Sequence, residues 1–242
     1  MSKPGKSLPV WVVIPAAGKG RRMNNAVPKQ YLRFQGKTII EHCLDRLLSH
    51  SLIDGAVLVL NPSDRHWESL NYVTEKPLFV TDGGNERQES VYKGLTFLQY
   101  RQGSEALVLV HDVVRPLVRH EDIDRLIETA LTSEAGALLA VPVADTIKVE
   151  NNIGTVSQTL PRENLWRAQT PQAFYLQPLL TALRQVREHD LVITDEAAAI
   201  EAAGFAPCLV EGSADNLKIT MASDFALAEQ IWLYQRDQNN NK

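Results

Sequence analysis

The chain has 242 residues, 44% of them hydrophobic and 22% charged, with a formal net charge of -4. That is ample chain for a buried core, and an acidic balance excludes bulk nucleic-acid binding, which leaves a basic domain. No run approaches the ~20 apolar residues of a membrane span, and the apolar run after Lys3 and Lys6 is too short and too broken by Pro9 and Pro15 for a secretory leader.

Apolar, β-rich runs alternate with helix-like ones in chain order. Strands are expected at Val10–Ile14, Ala56–Leu60, Leu78–Thr81, Leu107–His111, Gly136–Val141 and Pro207–Val210. Helices are expected between them, at Ile39–Ser49, Glu86–Gln99, Asp122–Ser133, Leu179–Glu188 and Asp195–Ala203. Several of the strands are continuous rather than alternating, as strands buried on both faces are. The order reads as an α/β fold with a doubly wound, mostly parallel, Rossmann-like sheet, whose ligands sit at the carboxyl ends of the strands. Residues 1–7 and the polar tail from Arg236 read as frayed ends. Cys43 and Cys208 lie far apart, outside any CxxC spacing, and read as buried thiols in a reducing, cytoplasmic compartment. The six histidines form no HxH or HExxH pattern, which argues against a protein-built zinc site.

The first strand ends at Pro15 and gives way to Ala16, Ala17, Gly18 and Gly20, with cations at Lys19, Arg21, Arg22 and Lys29. Small residues let main-chain amides approach a ligand, and amides with fixed cations suit a polyphosphate. Met23 stands where GxGxxG needs its third glycine, so this is not a dinucleotide fingerprint, and no Walker motif is present. The third strand runs into Gly83-Gly84, where Asn85 can cap a helix whose first face carries Arg87 and Ser90. The fourth delivers Asp112 to its carboxyl end, either as a turn residue or to meet a metal-bound nucleotide, with Arg115 three residues on.

Asp145–Thr159 alternates with period two around a turn-rich ENNIG, a β-hairpin signal. Ile147, Val149, Ile153 and Val156 give it apolar surface that a lone hairpin cannot bury, so it packs on its own domain or reaches a second subunit. With no repeat or linker in sight, residues 1–242 read as one domain carrying an arm at about 143–163. Thr194 reads as a helix N-cap with Asp195 and Glu196 in the first turn. Lys218 sits between Leu217 and Ile219, so strand alternation points it away from two core residues.

PAAGKGRRM followed by PKQY resembles the N-terminal signature of the sugar-phosphate nucleotidyltransferases. The later motifs, GG-x-E-R-x-x-S, HDVVRP, the arm and DNLK, follow in the order of one branch, the methylerythritol-phosphate cytidylyltransferases of non-mevalonate isoprenoid synthesis, so the resemblance spans nearly the whole chain. It implies an enzyme that joins CTP to 2-C-methyl-D-erythritol 4-phosphate, releases pyrophosphate and uses Mg²⁺. It also implies that Arg22 and Lys29 stabilise the transition state and that Arg162 and Lys218 position the second substrate. Ala16, Ala17, Gly18, Gly84, Asn85, Ser90, Asp112, Arg115, Thr146 and Thr194 complete the implied binding set, with Asp112 beside the metal. Thr146 and Arg162 are implied to reach a partner's site across a homodimer. Two departures are visible: Val113 and Val114 replace the family's usual alanines, and Asn85 stands where relatives are often acidic. The competing readings are a ribitol 5-phosphate cytidylyltransferase and a non-catalytic nucleotide-binding regulator. A fused downstream cyclase would need another ~150 residues and is not expected here.

Overall fold

The computed structural model describes residues 8–18 and 27–240. The expectations for residues 1–7 and for Lys19, Gly20, Arg21, Arg22 and Met23 therefore lie outside the described residues.

Strand β1 (Val10–Pro15) lies near the middle of a seven-stranded sheet. After it come a short hairpin, β2 (Arg33–Phe34) and β3 (Lys37–Thr38), and helix α1 (Ile39–Leu48). Thr38 and Glu41 close a reciprocal capping box that fixes the start of α1. Strands β4 (Gly55–Leu60) and β5 (Leu78–Asp82) follow, then α2 (Arg87–Gln102), β6 (Leu107–Val110), α3 (His120–Thr132) and β7 (Ala137–Pro142). The expected hairpin forms as β8 (Ile147–Glu150) and β9 (Val156–Leu160). The chain then runs through β10 (Trp166–Tyr175), α4 (Leu176–Glu188), α5 (Glu196–Ala202), β11 (Cys208–Glu211) and α6 (Ala222–Asn240).

The sheet order is β11-β7-β10-β6-β1-β4-β5. All pairings are parallel except those of β10, which runs antiparallel to both β6 and β7. Alternate residues of β1 feed two cores: Val10, Val12 and Ile14 face the side that also holds residues of α1 and α3, while Trp11 and Val13 face the side of α2, α4 and α5. Every residue of β4 and β6 is buried, which explains their unbroken apolar sequence.

Three expectations are corrected. No strand is expected at β10, because Gln169, Thr170 and Gln172 are polar and Pro171 cannot donate to a ladder. In the fold the register shifts between Ala168 and Gln172, so the proline falls in an irregular stretch. The tail from Arg236 continues α6 to Asn240, with the Arg236 guanidinium over the Trp232 ring at 5.4 Å. Cys43 is buried as expected, and burial pushes its thiol up, but Cys208 is exposed on the edge strand β11.

Candidate active site

The strand order reverses at β1, with β4 and β5 on one side and β6 on the other, and the carboxyl ends of these strands frame a crevice. Ala16, Ala17, Gly18 and Lys29 line it from the first loop, Gly84 and Asn85 from the loop after β5, and Arg87 and Ser90 from the first turn of α2. Asp112, Val113 and Val114 come from the loop after β6, and Lys218 from the irregular segment after β11.

The first loop is held from behind by two side-chain amides. Gln30, in a 3₁₀ turn at Lys29–Tyr31, donates to the Ala16 carbonyl at 3.0 Å, and Asn61 donates to the Ala17 carbonyl at 3.3 Å. Lys29 Nζ reaches the Ile219 carbonyl at 3.4 Å, which joins the first loop to the last. In the second loop, Gly84 N–H donates to Ser90 Oγ at 3.0 Å, and that hydroxyl donates to the Glu86 carbonyl at 3.0 Å. Its one proton is thereby used to shape the loop. Asn85 does not cap α2; Glu86 occupies the N-cap position without a side-chain bond, and Asn85 N–H instead donates to Glu89 at 2.9 Å.

Asp112 is the electrostatic centre of the cleft. It is 6% exposed, with Oδ1 accepting from Arg87 Nε at 2.8 Å and Oδ2 facing Lys218 Nζ at 2.7 Å. Burial alone would raise its carboxyl, but Arg87 and Lys218 outweigh burial and hold it well below the usual carboxylate range. Arg87 in turn makes a two-pronged pair with buried Glu196, at 2.7 and 3.0 Å. Burial opposes the Arg87 charge, and these two acids overcome that opposition.

The polar residues of β10 support this centre from below. Thr170 Oγ1 accepts from Asp112 N–H at 3.0 Å and meets His111 Nδ1 at 3.2 Å. His111 Nε2 lies 2.9 Å from the Arg115 carbonyl, so Nε2 carries the proton and Nδ1 accepts from the threonine hydroxyl. Asn216 donates to the Thr170 carbonyl at 2.9 Å, and Arg115 donates to the Asn216 carbonyl at 2.7 Å, which fixes the segment that carries Lys218.

Burial lowers the His111 imidazole to about 4. The unfolded chain protonates this histidine from about pH 6.5 downward, while the folded protein does so only near 4. Its contribution is thus complete above about 6.5 and is lost as pH falls through that window, by up to about 3 kcal/mol. Urea unfolding at pH 7 and pH 4.5 should show this extra acid loss in the native protein and not in His111→Gln. Equal losses in both would refute the assignment.

The cleft thus gathers nine of the expected site residues: Ala16, Ala17, Gly18, Lys29, Gly84, Asn85, Ser90, Asp112 and Lys218. Arg115 stands behind the wall, mostly buried, with Nε 3.9 Å from Asp112. Thr146, Arg162 and Thr194 do not line the cleft, and Arg22 lies outside the described residues. Arg162 is exposed on the hairpin side and donates to the Ala144 carbonyl. Thr194 is not the N-cap of α5; Asp195 is, accepting from Ala198 N–H at 3.0 Å. Lys218 is not on a strand but in a segment without regular secondary structure, although Ile219 beside it is fully buried as expected. Arg87, Glu196, Thr170 and Gln172 take part in the site although none is among the expected site residues. The available signals were the arginine of the GG-x-E-R-x-x-S motif and the second acid after Thr194.

Among the described residues, no group of three or more His, Cys, Asp or Glu could hold a metal. One ionised carboxylate on the cleft wall does fit a magnesium ion held chiefly by phosphate oxygens and waters, since a carboxylate can accept more bonds than Arg87 and Lys218 use.

A mostly parallel sheet whose carboxyl edge sets bare backbone and lysines around one buried carboxylate has the build of a nucleotidyltransferase. The model of the family described as "IspD: 2-C-methyl-D-erythritol 4-phosphate cytidylyltransferase" matches residues 10–233, which is most of the chain. The chain belongs to this family. It is 48% identical over 221 residues to the 2-C-methyl-D-erythritol 4-phosphate cytidylyltransferase of Hahella chejuensis, covering 91% of each chain. The namesake protein of Photobacterium profundum is 44% identical over 220 residues, with 89% of this chain and 93% of that one covered. Among solved structures, a 4-diphosphocytidyl-2C-methyl-D-erythritol synthase superposes with a TM-score of 0.81 at 34% identity, covering 93% of this chain and all of that one. The Francisella tularensis 2-C-methyl-D-erythritol 4-phosphate cytidylyltransferase gives a TM-score of 0.79 at 36% identity, covering 92% and 99%.

Proposed function

We propose that this chain transfers the cytidylyl group of CTP to 2-C-methyl-D-erythritol 4-phosphate, releasing pyrophosphate, as a step of isoprenoid precursor synthesis. The observation that carries this reading is the convergence of Lys29, Lys218 and Asp112 on one cleft at the topological switch point. The phosphate monoester is already an anion near neutral pH, so its oxygen attacks the α-phosphorus in line with departing pyrophosphate and needs no strong base. The barrier is the approach of like charges and the charge that builds on the equatorial and leaving oxygens.

In this reading Ala16, Ala17 and Gly18 offer main chain to the triphosphate, and Lys29 with Arg22 balances the charge that develops there. Gly84, Asn85 and Ser90 frame the nucleoside. Lys218, with Arg115 shaping its segment, orients the methylerythritol phosphate, and Thr194 belongs to the same binding set in this reading. Magnesium, when bound, neutralises the phosphate oxygens, and Asp112 would hold it. Val113 and Val114 are buried on the cleft wall, so they narrow the space beside the sugar relative to alanines.

Residues 1–242 are read as one nucleotidyltransferase domain that works as a homodimer in the cytoplasm. Its arm, at about 143–163, brings Thr146 and Arg162 to the partner's cleft. Support comes from the arm's exposed apolar residues, Val149, Ile153 and Val156, which a hairpin in water leaves uncovered. Among the described residues no helix is long and apolar enough to cross a membrane.

The functional test is a panel of CTP, ATP, GTP and UTP against methylerythritol and ribitol phosphates, scored by pyrophosphate release. CTP with methylerythritol phosphate should dominate. A preference for ribitol phosphate would overturn the substrate, and no release with any pair would overturn the enzyme.

One glycine gives a second expectation. A Cβ on Gly83 would lie 2.6 Å from Ala17 Cβ and 2.8 Å from Ser90 Oγ, so alanine there must part the two loops that frame the nucleotide. Overpacking of this kind costs about 1–3 kcal/mol, and we expect Gly83→Ala to raise the KM for CTP roughly tenfold. Steady-state kinetics check it; an unchanged KM would mean that these loops do not hold CTP.

A further inference from the structure

We propose that Arg87 and Glu196 are positioning residues for the transfer: together they fix the Asp112 carboxylate, which aims the Lys218 ammonium across the cleft. The proposal rests on the functional reading above.

The geometry is a chain of four charges. Glu196 is 2% exposed and accepts from both terminal nitrogens of Arg87, at 2.7 and 3.0 Å. That leaves Arg87 Nε directed at Asp112 Oδ1, at 2.8 Å. Asp112 Oδ2 is then the oxygen presented to Lys218, at 2.7 Å. A guanidinium is planar and rigid, so gripping it at one edge sets the direction of the other. Arg87 thus behaves as a spacer of fixed length and angle between two carboxylates.

The far end of the chain is also fixed. Glu196 is the first residue of α5, and Gln172 clasps that terminus on both sides. Gln172 Oε1 accepts from Ala197 N–H at 2.9 Å, while its Nε2 donates to Asp195 Oδ2 at 2.9 Å. The Asp112 main chain is pinned separately, through the Thr170 hydroxyl at 3.0 Å. The carboxylate is thus tied to α5 through Arg87, and its main chain is tied to β10 through Thr170.

Stability gives a poor account of such a network. Burying ion pairs costs desolvation, and apolar residues of the same shape are often as stable or more so. What the network supplies is aim. The Lys218 side chain is 43% exposed on a flexible stem, and a fixed counter-ion narrows the positions its ammonium can take before an anionic substrate arrives. Pre-set placement of a cation matters to reactions limited by positioning, where a shift of ~1 Å can cost about 10²-fold.

The test uses the full-length enzyme with Glu196→Gln and Arg87→Lys. Glu196→Gln removes the charge that grips Arg87 at nearly constant shape, and Arg87→Lys keeps a charge but cannot span both acids. Each should lower kcat by about 10–100-fold and raise the KM for the alcohol phosphate, with the KM for CTP within about twofold. A crystal structure of Glu196→Gln should show Lys218 Nζ withdrawn from Asp112. If Glu196→Gln does not fold, Arg87→Lys, which leaves the buried acid beside a cation, carries the same measurements. Near-native kcat in the folded variants, an equal rise in both KM values, or an unmoved Lys218–Asp112 contact would overturn the proposal. A wild-type enzyme that fails to join these substrates would instead refute the functional reading, and the Lys218–Asp112 distance in the variant would still decide the positioning role.

Discussion

Alanine in place of Lys29 is expected to lower turnover by about 10³-fold or more while leaving the fold intact. The effect is large because the reaction offers the protein little covalent work; its contribution is fixed positive charge where negative charge accumulates. A cation that acts mainly in the transition state lowers kcat and kcat/KM together, with little change in the KM for CTP. Lys29 is only half-buried, and its bond to the Ile219 carbonyl is long, at 3.4 Å. Removing such a bond costs no more than about 1 kcal/mol. Pyrophosphate release and thermal unfolding on the same preparation check both halves. Arg22→Ala should show a kinetic loss of similar size. Near-native kcat in Lys29→Ala would remove this lysine from the chemistry and leave it as a tether between the first and last loops.

The frame that positions Lys29 is visible in the sequence because it follows from local patterning. β1, β4 and β6 are apolar throughout, since each is buried on both faces, and small or charged residues begin where each ends. Ala16–Gly18 and Asp112 can be read at those boundaries without any knowledge of what lies beside them. Pairings between distant segments leave no such trace. Arg87 and Glu196 stand 109 positions apart, and each by itself resembles an ordinary first-turn residue. The same limit explains the cap of α5. Thr194 and Asp195 are both good N-cap residues, and local rules do not separate them. In the fold Asp195 takes the role, and its second oxygen is held by Gln172, a residue of β10. β10 itself was hidden because its polar residues serve the site and its proline sits at a register shift. Lys218 was legible as a residue but not in its setting. Its segment is held by Asn216 and Arg115 rather than by a strand ladder. Function has broken the local rules at these places, and α5 and β10 compensate.

The arm carries the largest expected change of all, from no activity to measurable activity on mixing. Arg162→Ala protomers keep an intact cleft but lose the arm's guanidinium, while Lys29→Ala protomers keep the arm and lose the cleft's lysine. Each should be inactive alone. Arg162 supports this reading in being exposed at the base of a hairpin whose apolar side chains have water for a neighbour. If arms cross, a mixed dimer has one site with wild-type Lys29 and wild-type Arg162 and a second site lacking both. Random exchange at equal concentrations makes about half of the dimers mixed, so roughly a quarter of all sites should recover. Activity should rise with the rate of subunit exchange, which mass-tagged protomers report independently. An arm that serves its own subunit would give no recovery, because each protomer then carries its defect in its own site. Silence after proven exchange would reassign Arg162 to the home cleft or remove it from the reaction, and the apolar face of the arm would then need another partner.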